Sequence, residues 1–207
     1  PSRARVWTTA NDMRRMMLGE SSEELKRKTG LFTRLATKVG AATGATANLA
    51  LVRKATHAWM PLGDNIAIIG GELVGIELAE FLAERGRTAD VIEEAPRLGK
   101  GLTLVRRMRI LTELAEHGVG LHGGASAITI GPKTVTFTDI QGNVQTVPAD
   151  NVIVAKGAAG DLTLAEKLKA AGFSVHPIGD ATGVGYIEGA MHSARAAVRA
   201  IAGVAAA

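Results

Sequence analysis

Apolar positions change their spacing twice along this chain. From Asn65 onward, short wholly apolar runs alternate with stretches of helical period, whereas residues 1–63 carry mixed helical stretches separated by polar caps. The run 66–69 (Ile-Ala-Ile-Ile) is apolar at every position, as expected for a strand of a parallel sheet buried on both faces. Residues 74–85 follow at helical spacing, with Leu73, Ile76, Leu78, Ala79 and Leu82 on the buried side and Gly86 as the stop. A second strand is expected at 88–92 and a helix at 103–117, ended by Gly118. Short strands at 119–122, 127–130, 134–138 and 144–147 are separated by Gly, Pro and Asn turn signals, the pattern of a β-meander. Another buried strand is expected at 151–155. Then come a helix at 162–171, a strand at 174–178, the turn Gly179-Asp180 and a helix at 188–202.

In the first zone, residues 11–18 read as helix, Ser21 and Glu24 fit a capping box, and further helix is expected through Val39 and over 46–59. The fold class is therefore α/β: a three-layer Rossmann-like domain with a mainly parallel sheet and a β-meander, preceded by a helical segment. Three parts are expected: a basic helical segment (1–63), a strand-and-helix domain with the meander (64–156) and a C-terminal part (157–207).

Composition narrows the chemistry. With 46% hydrophobic but only 3% aromatic residues, the core must be built from Ala, Leu, Ile and Val. Zero Cys excludes disulfides, thiolate metal ligation and a redox-active dithiol within this chain. Residues 1–63 hold 11 Lys/Arg against 4 Asp/Glu, and the remainder 13 against 16. Without interleaved aromatics, that basic front reads as a solvated helical face, so no nucleic-acid partner is expected. No 18-residue apolar run occurs, so no membrane partner is expected either; with no Cys, a reducing, cytoplasmic setting is compatible. The chain starts at Pro1 rather than Met, and is expected to be a fragment or a processed product.

The main motif is the strand-to-helix turn Gly70-Gly71-Glu72-Leu73-Val74-Gly75. Gly70 allows the tight turn, Gly75 lets the helix pack against the strand, and the helix start presents unpaired N–H groups and partial positive charge to a diphosphate. Glu93 closes the second strand 23 residues after Gly70, near the offset of roughly 20 for a carboxylate that accepts from ribose hydroxyls. Such an acid repels a 2′-phosphate and favours NAD(H); Glu94 is an alternative for the role. Glu72 departs from G-x-G-x-x-G. A carboxylate about 4 Å from a phosphate costs on the order of 4 kcal/mol at an effective dielectric near 20, nearly three decades of affinity. Either Glu72 points to solvent, or its carboxylate caps the helix and sits where phosphate belongs.

These residues resemble a known family. The run 70–79 with Asp90-Val91-Ile92-Glu93-Glu94 resembles the NAD-binding domain of flavoprotein pyridine-nucleotide reductases. Residues 147–157, ending in Gly157, are similar to the strand by which those proteins re-enter the FAD lobe, and Pro177-Ile178-Gly179-Asp180-Ala181 looks like their second flavin motif. Within that superfamily the chain most resembles the C-terminal part of NADH:flavin oxidoreductases related to 2,4-dienoyl-CoA reductase and 2-enoate reductase. The resemblance implies a flavin- and NAD(P)H-dependent oxidoreductase passing hydride from NADH to FAD for reduction of an activated C=C bond. It implies that 64–156 is the NAD(H)-binding domain and 157–207 the C-terminal part of an incomplete FAD-binding lobe, that Asp180 binds the flavin ribitol, and that backbone amides near Gly189, Ala190 and Met191 face the flavin. An N-terminal barrel of the same longer protein, with FMN and an iron–sulfur cluster, is the implied partner. The fragment alone is expected to hold FAD weakly and to turn over nothing.

No catalytic side chain is assigned, because hydride transfer between cofactors needs none. The five His lack metal-ligand spacing, so no metal site is assigned. Two alternatives stand beside this reading: a degenerate module that holds ADP or nothing because of Glu72, and a nucleotide-dependent methyltransferase, which also uses a glycine turn followed by an acid.

Overall fold

The computed structural model describes residues 5–7, 60, 62–157 and 159–203, together with the single residues 38, 39, 42, 50, 54 and 57. It divides into two compact units, Pro1–Lys156 and Gly157–Ala207.

The first unit is built on a five-stranded parallel sheet in the order β1-β8-β2-β3-β4. Its strands are β1 (Arg5–Trp7), β2 (Asn65–Ile69), β3 (Thr88–Glu93), β4 (Gly120–Gly123) and β8 (Asn151–Val154). Helix α1 (Leu73–Ala83) connects β2 to β3, and α2 (Leu104–Glu116) connects β3 to β4. The antiparallel meander β5 (Ser126–Ile130), β6 (Thr134–Thr138) and β7 (Val144–Pro148) precedes β8.

The two-residue period of β2 explains its composition. Ile66 and Ile68 point into one core with Ile76, Leu82, Val91, Ile110, Leu114 and Ile153, under the helices. Ala67 and Ile69 point into a second core with Ile92, Val152 and the meander residues Val135, Phe137 and Val147. A strand covered by helices on one face and a meander on the other has no solvent side, so no polar position survives within it after Asn65 at its start. The α/β class with a mainly parallel sheet and a meander is thus the observed one.

Two expectations fail. Residues 5–7 lie in the segment read as helical, yet they form β1, paired in parallel with β8 from Arg5↔Asn151 to Trp7↔Ile153. Residues 174–178, read as a strand, form none. Pro177 removes a ladder donor there, and no described strand pairs with the segment. Residues 38, 39, 42, 50, 54 and 57 are helical; the expected helix at 11–18 and the capping box at Ser21 lie outside the described residues.

In the second unit, α3 (Thr163–Ala170), a 3₁₀ turn (Gly179–Thr182) and α4 (Tyr186–Ile201) carry no buried residue among those described. Leu164, Ile187, Met191, Val198 and Ile201 are all exposed. No described helix is long and apolar enough to cross a membrane.

Candidate dinucleotide-binding site

The site begins where β2 runs out of sheet. Gly70 turns with φ +112°, a left-handed conformation that L side chains avoid, and a Cβ there would strike the Ala155 carbonyl at the end of β8. The Gly70 N–H donates to Ile92 O at 2.8 Å, and Ala155 N–H to Ile69 O at 2.7 Å, so the turn sits at the carboxyl ends of three adjacent strands. Ligands of open parallel sheets bind at such strand ends. Gly75, on the first turn of α1, is equally constrained: its Cβ would overlap the Gly70 carbonyl oxygen. The third glycine of the motif therefore brings the helix down onto the turn.

Glu93 faces this turn. Its Oε2 accepts the Gly71 N–H at 2.5 Å and its Oε1 accepts the Ala95 N–H at 2.8 Å. A Cβ on Gly71 would lie 3.0 Å from both Glu93 Cβ and Leu98 Cδ2, so a side chain there would press these neighbours back by a few tenths of an ångström. The pairing of turn and acid expected from spacing is thus a direct contact. Glu94 points elsewhere, its Oε2 receiving Lys156 Nζ at 2.6 Å, so of the two acids Glu93 meets the turn.

Glu72 occupies the N-cap position of α1 in an extended conformation and makes no capping hydrogen bond. The reading in which its carboxylate caps the helix is thereby corrected. It lies 3.3 Å from Lys100 Nζ and is partly open to solvent. The N–H of Leu73 donates to Lys100 O at 3.0 Å. The N–H groups of Val74 and Gly75 have no acceptor among the described residues. With the helix dipole behind them, these two amides are free to meet an anion.

The loop after β3 was not singled out by its sequence. It returns over the turn, where Gly99 N–H donates to Gly71 O at 2.6 Å, and with Leu102 and Arg107 it bounds an open groove of about 440 Å³. Its signal was the punctuation Gly99-Lys100-Gly101, in which both glycines take positive φ (+74° and +92°).

Of the remaining expected site residues, Gly157, Gly179, Asp180 and Ala190 belong to the second unit. Gly157 has φ +80°. The Gly179 N–H donates to Ser193 Oγ at 2.8 Å, and Ser193 Oγ donates to Ala190 O at 3.0 Å, which brings Gly179 and Ala190 together. Asp180 is exposed, and its Oδ1 accepts the Gly185 N–H at 3.1 Å. No group of three or more His, Asp or Glu residues able to hold a metal occurs among the described residues. His122 pairs with Asp90 at 2.8 Å and packs on Phe137 with ring centroids 4.9 Å apart.

Comparison with known proteins fits this geometry. The description of the pyridine nucleotide-disulphide oxidoreductase family matches residues 29–183. The chain is 32% identical over 124 residues to the bilirubin reductase of Mediterraneibacter gnavus (strain CC55_001C), covering 60% of this chain and 19% of that protein. It is 29% identical over 132 residues to an NADH oxidase of Thermoanaerobacter brockii, covering 63% and 20%. It thus spans about a fifth of the length of these curated relatives. Among solved structures, a 2-naphthoyl-CoA reductase in complex with 2-naphthoyl-CoA superposes with a TM-score of 0.55 at 28% identity, over 65% of this chain and 20% of that one. Histamine dehydrogenase from Rhizobium sp. 4-9 superposes at 0.58 and 18% identity, over 67% and 23%, a likeness of fold alone.

Proposed function

The chain belongs to the pyridine nucleotide-disulphide oxidoreductase family, and from that membership we propose that it is the NADH-binding part of a flavin-dependent reductase. An oxidoreductase domain linked to NAD(P)H and a flavin is the coarse reading that membership supports. The preference for NADH and the nature of the acceptor are the finer steps.

One observation carries the first step: the Glu93 carboxylate lies against the Gly71 amide beside two helix-start amides that have no acceptor among the described residues. The arrangement fits a dinucleotide. The diphosphate would lie on the amides of Val74 and Gly75, where a side chain at Gly70 or Gly75 would clash with backbone. Glu93, with each oxygen already accepting one amide, retains lone pairs for ribose hydroxyls and repels a 2′-phosphate. Nicotinamide, when bound, supplies the hydride; the residues here bind and orient it, and none is assigned as an acid or base. Disulfide exchange within this chain is excluded by the absence of Cys.

For the flavin, the second unit offers Gly179, Asp180 and Ala190, with one Asp180 oxygen already committed to Gly185. Its exposed apolar helices support the view that it is one part of a larger lobe. We take the electron acceptor to be an activated C=C bond, an assignment supported by the likeness to 2-naphthoyl-CoA reductase at 28% identity. It extends to a longer protein with an N-terminal barrel holding FMN and an iron–sulfur cluster, and to a chain that alone turns over no substrate.

The second reading, a degenerate module that holds ADP or nothing, is favoured by the loss of one helix-start amide, that of Leu73, to Lys100. Calorimetric titration with NADH, NADPH and ADP separates the two. We expect NADH to bind at least about tenfold more tightly than NADPH, and Glu93→Gln to shrink that ratio, since tenfold corresponds to only about 1.4 kcal/mol of discrimination. Binding of ADP without NADH, or an unchanged ratio in Glu93→Gln, refutes the proposal.

A further inference from the structure

Glu72 is a carboxylate at the mouth of a site that the preceding reading gives to a diphosphate. We infer that Lys100 is a positioning residue for that diphosphate: its ammonium is the counter-charge that keeps Glu72 from repelling the ligand. The inference rests on the nucleotide-binding reading.

The ammonium is delivered to Glu72 by its own backbone. Lys100 O accepts the Leu73 N–H at 3.0 Å, which ties the residue to the first turn of α1. The preceding residue donates from Gly99 N–H to Gly71 O at 2.6 Å, which ties the loop to the glycine turn itself. From this double anchor Lys100 Nζ reaches to 3.3 Å from Glu72 Oε1. Gly99 and Gly101, both at positive φ, allow the chain to bend sharply enough to make these contacts.

The pair is poorly suited to a purely structural role. The side chain of Lys100 is 79% exposed and that of Glu72 39%, and exposed ion pairs contribute little to folding. What the pair changes is the local charge seen by an arriving anion. Of the other charged groups of this region, Glu93 is held by the Gly71 and Ala95 amides, Arg107 Nε donates to Leu98 O, and Arg97 lines the groove. With Lys100 in place, Glu72 and its partner sum to no net charge beside the free amides of Val74 and Gly75. Without it, an uncompensated carboxylate faces the diphosphate.

The test is a double-mutant cycle on the full 207-residue chain, with NADH titrated calorimetrically at low and at high salt. Lys100→Met is expected to weaken NADH binding by roughly tenfold when Glu72 is present, and by less than about threefold in a Glu72→Gln background. Lys100→Arg, which keeps the charge, should restore affinity. Salt supplies a sign that loss of structure cannot mimic. Added salt should tighten NADH binding to Lys100→Met, because it screens the exposed Glu72 repulsion, and should not do so in Lys100→Met/Glu72→Gln. Equal losses in the two backgrounds, or no loss with Glu72 present, overturn the role of Lys100 while leaving nucleotide binding intact. If the unmodified chain binds neither NADH nor ADP, the nucleotide reading falls and this inference with it.

Discussion

Gly75→Ala places two effects of opposite sign in competition. Inside a helix, alanine is favoured over glycine by about 0.8–1.0 kcal/mol, and Gly75 lies within α1 at a buried position. Propensity alone would make the variant more stable. The added methyl, however, would overlap the Gly70 carbonyl oxygen, with Ile68 Cγ2 at 3.5 Å behind it. Carbon contacts relax at about 3.5–4.0 Å, so the helix start or the turn must move by more than about 1 Å. The flexible end of a side chain could yield, but the obstacle is backbone in a turn whose Gly70 N–H is hydrogen-bonded to Ile92. Overpacking of this kind costs about 1–3 kcal/mol, so after the propensity gain the net expectation is destabilisation by up to about 2 kcal/mol. The same displacement moves the Val74 and Gly75 amides away from Glu93, and NADH affinity should fall at least about tenfold, some 1.4 kcal/mol. Urea unfolding monitored by circular dichroism measures the first quantity, and calorimetry the second. A Gly75→Ala chain as stable as the parent and equally able to bind NADH would show that α1 does not rest on the turn.

Other consequences are more local. Phe137→Ala should cost about 3–5 kcal/mol in urea unfolding, because Phe137 is buried in the core shared by the meander and the sheet; a loss below about 1 kcal/mol would mean that the meander is not part of that core. Asp150 Oδ2 accepts both the backbone N–H and Nδ2 of Asn65 at 3.1 Å, and these bonds, followed by Lys133, hold its carboxyl below the usual range. Its contribution is therefore complete above the ordinary carboxylate range and is lost as pH falls through the lowered folded value. Asp150→Asn should cost about 1 kcal/mol at neutral pH and flatten the stability profile on the acid side below about pH 4; an unchanged acid limb in pH-dependent unfolding would contradict this.

The strand-turn-helix unit and its acid could be read from residues 66–93 because the determinants are local. Every residue of β2 from Ile66 is apolar, the glycines stand at Gly70 and Gly75, and counting 23 positions reaches the end of β3 at Glu93. Burial on both sheet faces requires the first, steric exclusion at the turn requires the second, and the length of one helix and one strand fixes the third. The meander was legible for a similar reason, since turn residues recur at short intervals between alternating strands.

What the tertiary structure decided depends on partners distant in sequence. Arg5–Trp7 are too few to carry a period, and they are a strand because β8, 146 residues away, offers them an edge. Residues 174–178 have strand-like composition but no described neighbour to pair with, and a strand without a partner leaves its backbone groups unsatisfied by any sheet. Glu72 is the sharpest instance. From sequence its carboxylate could cap the helix or face solvent, and nothing within its own turn distinguishes the two. The choice fell to Lys100, brought 28 positions back along the chain by a loop whose amides and carbonyls bind the glycine turn. Local sterics write glycines, caps and periods into neighbouring residues, whereas a charge is answered by whichever opposite charge the folded chain carries to it.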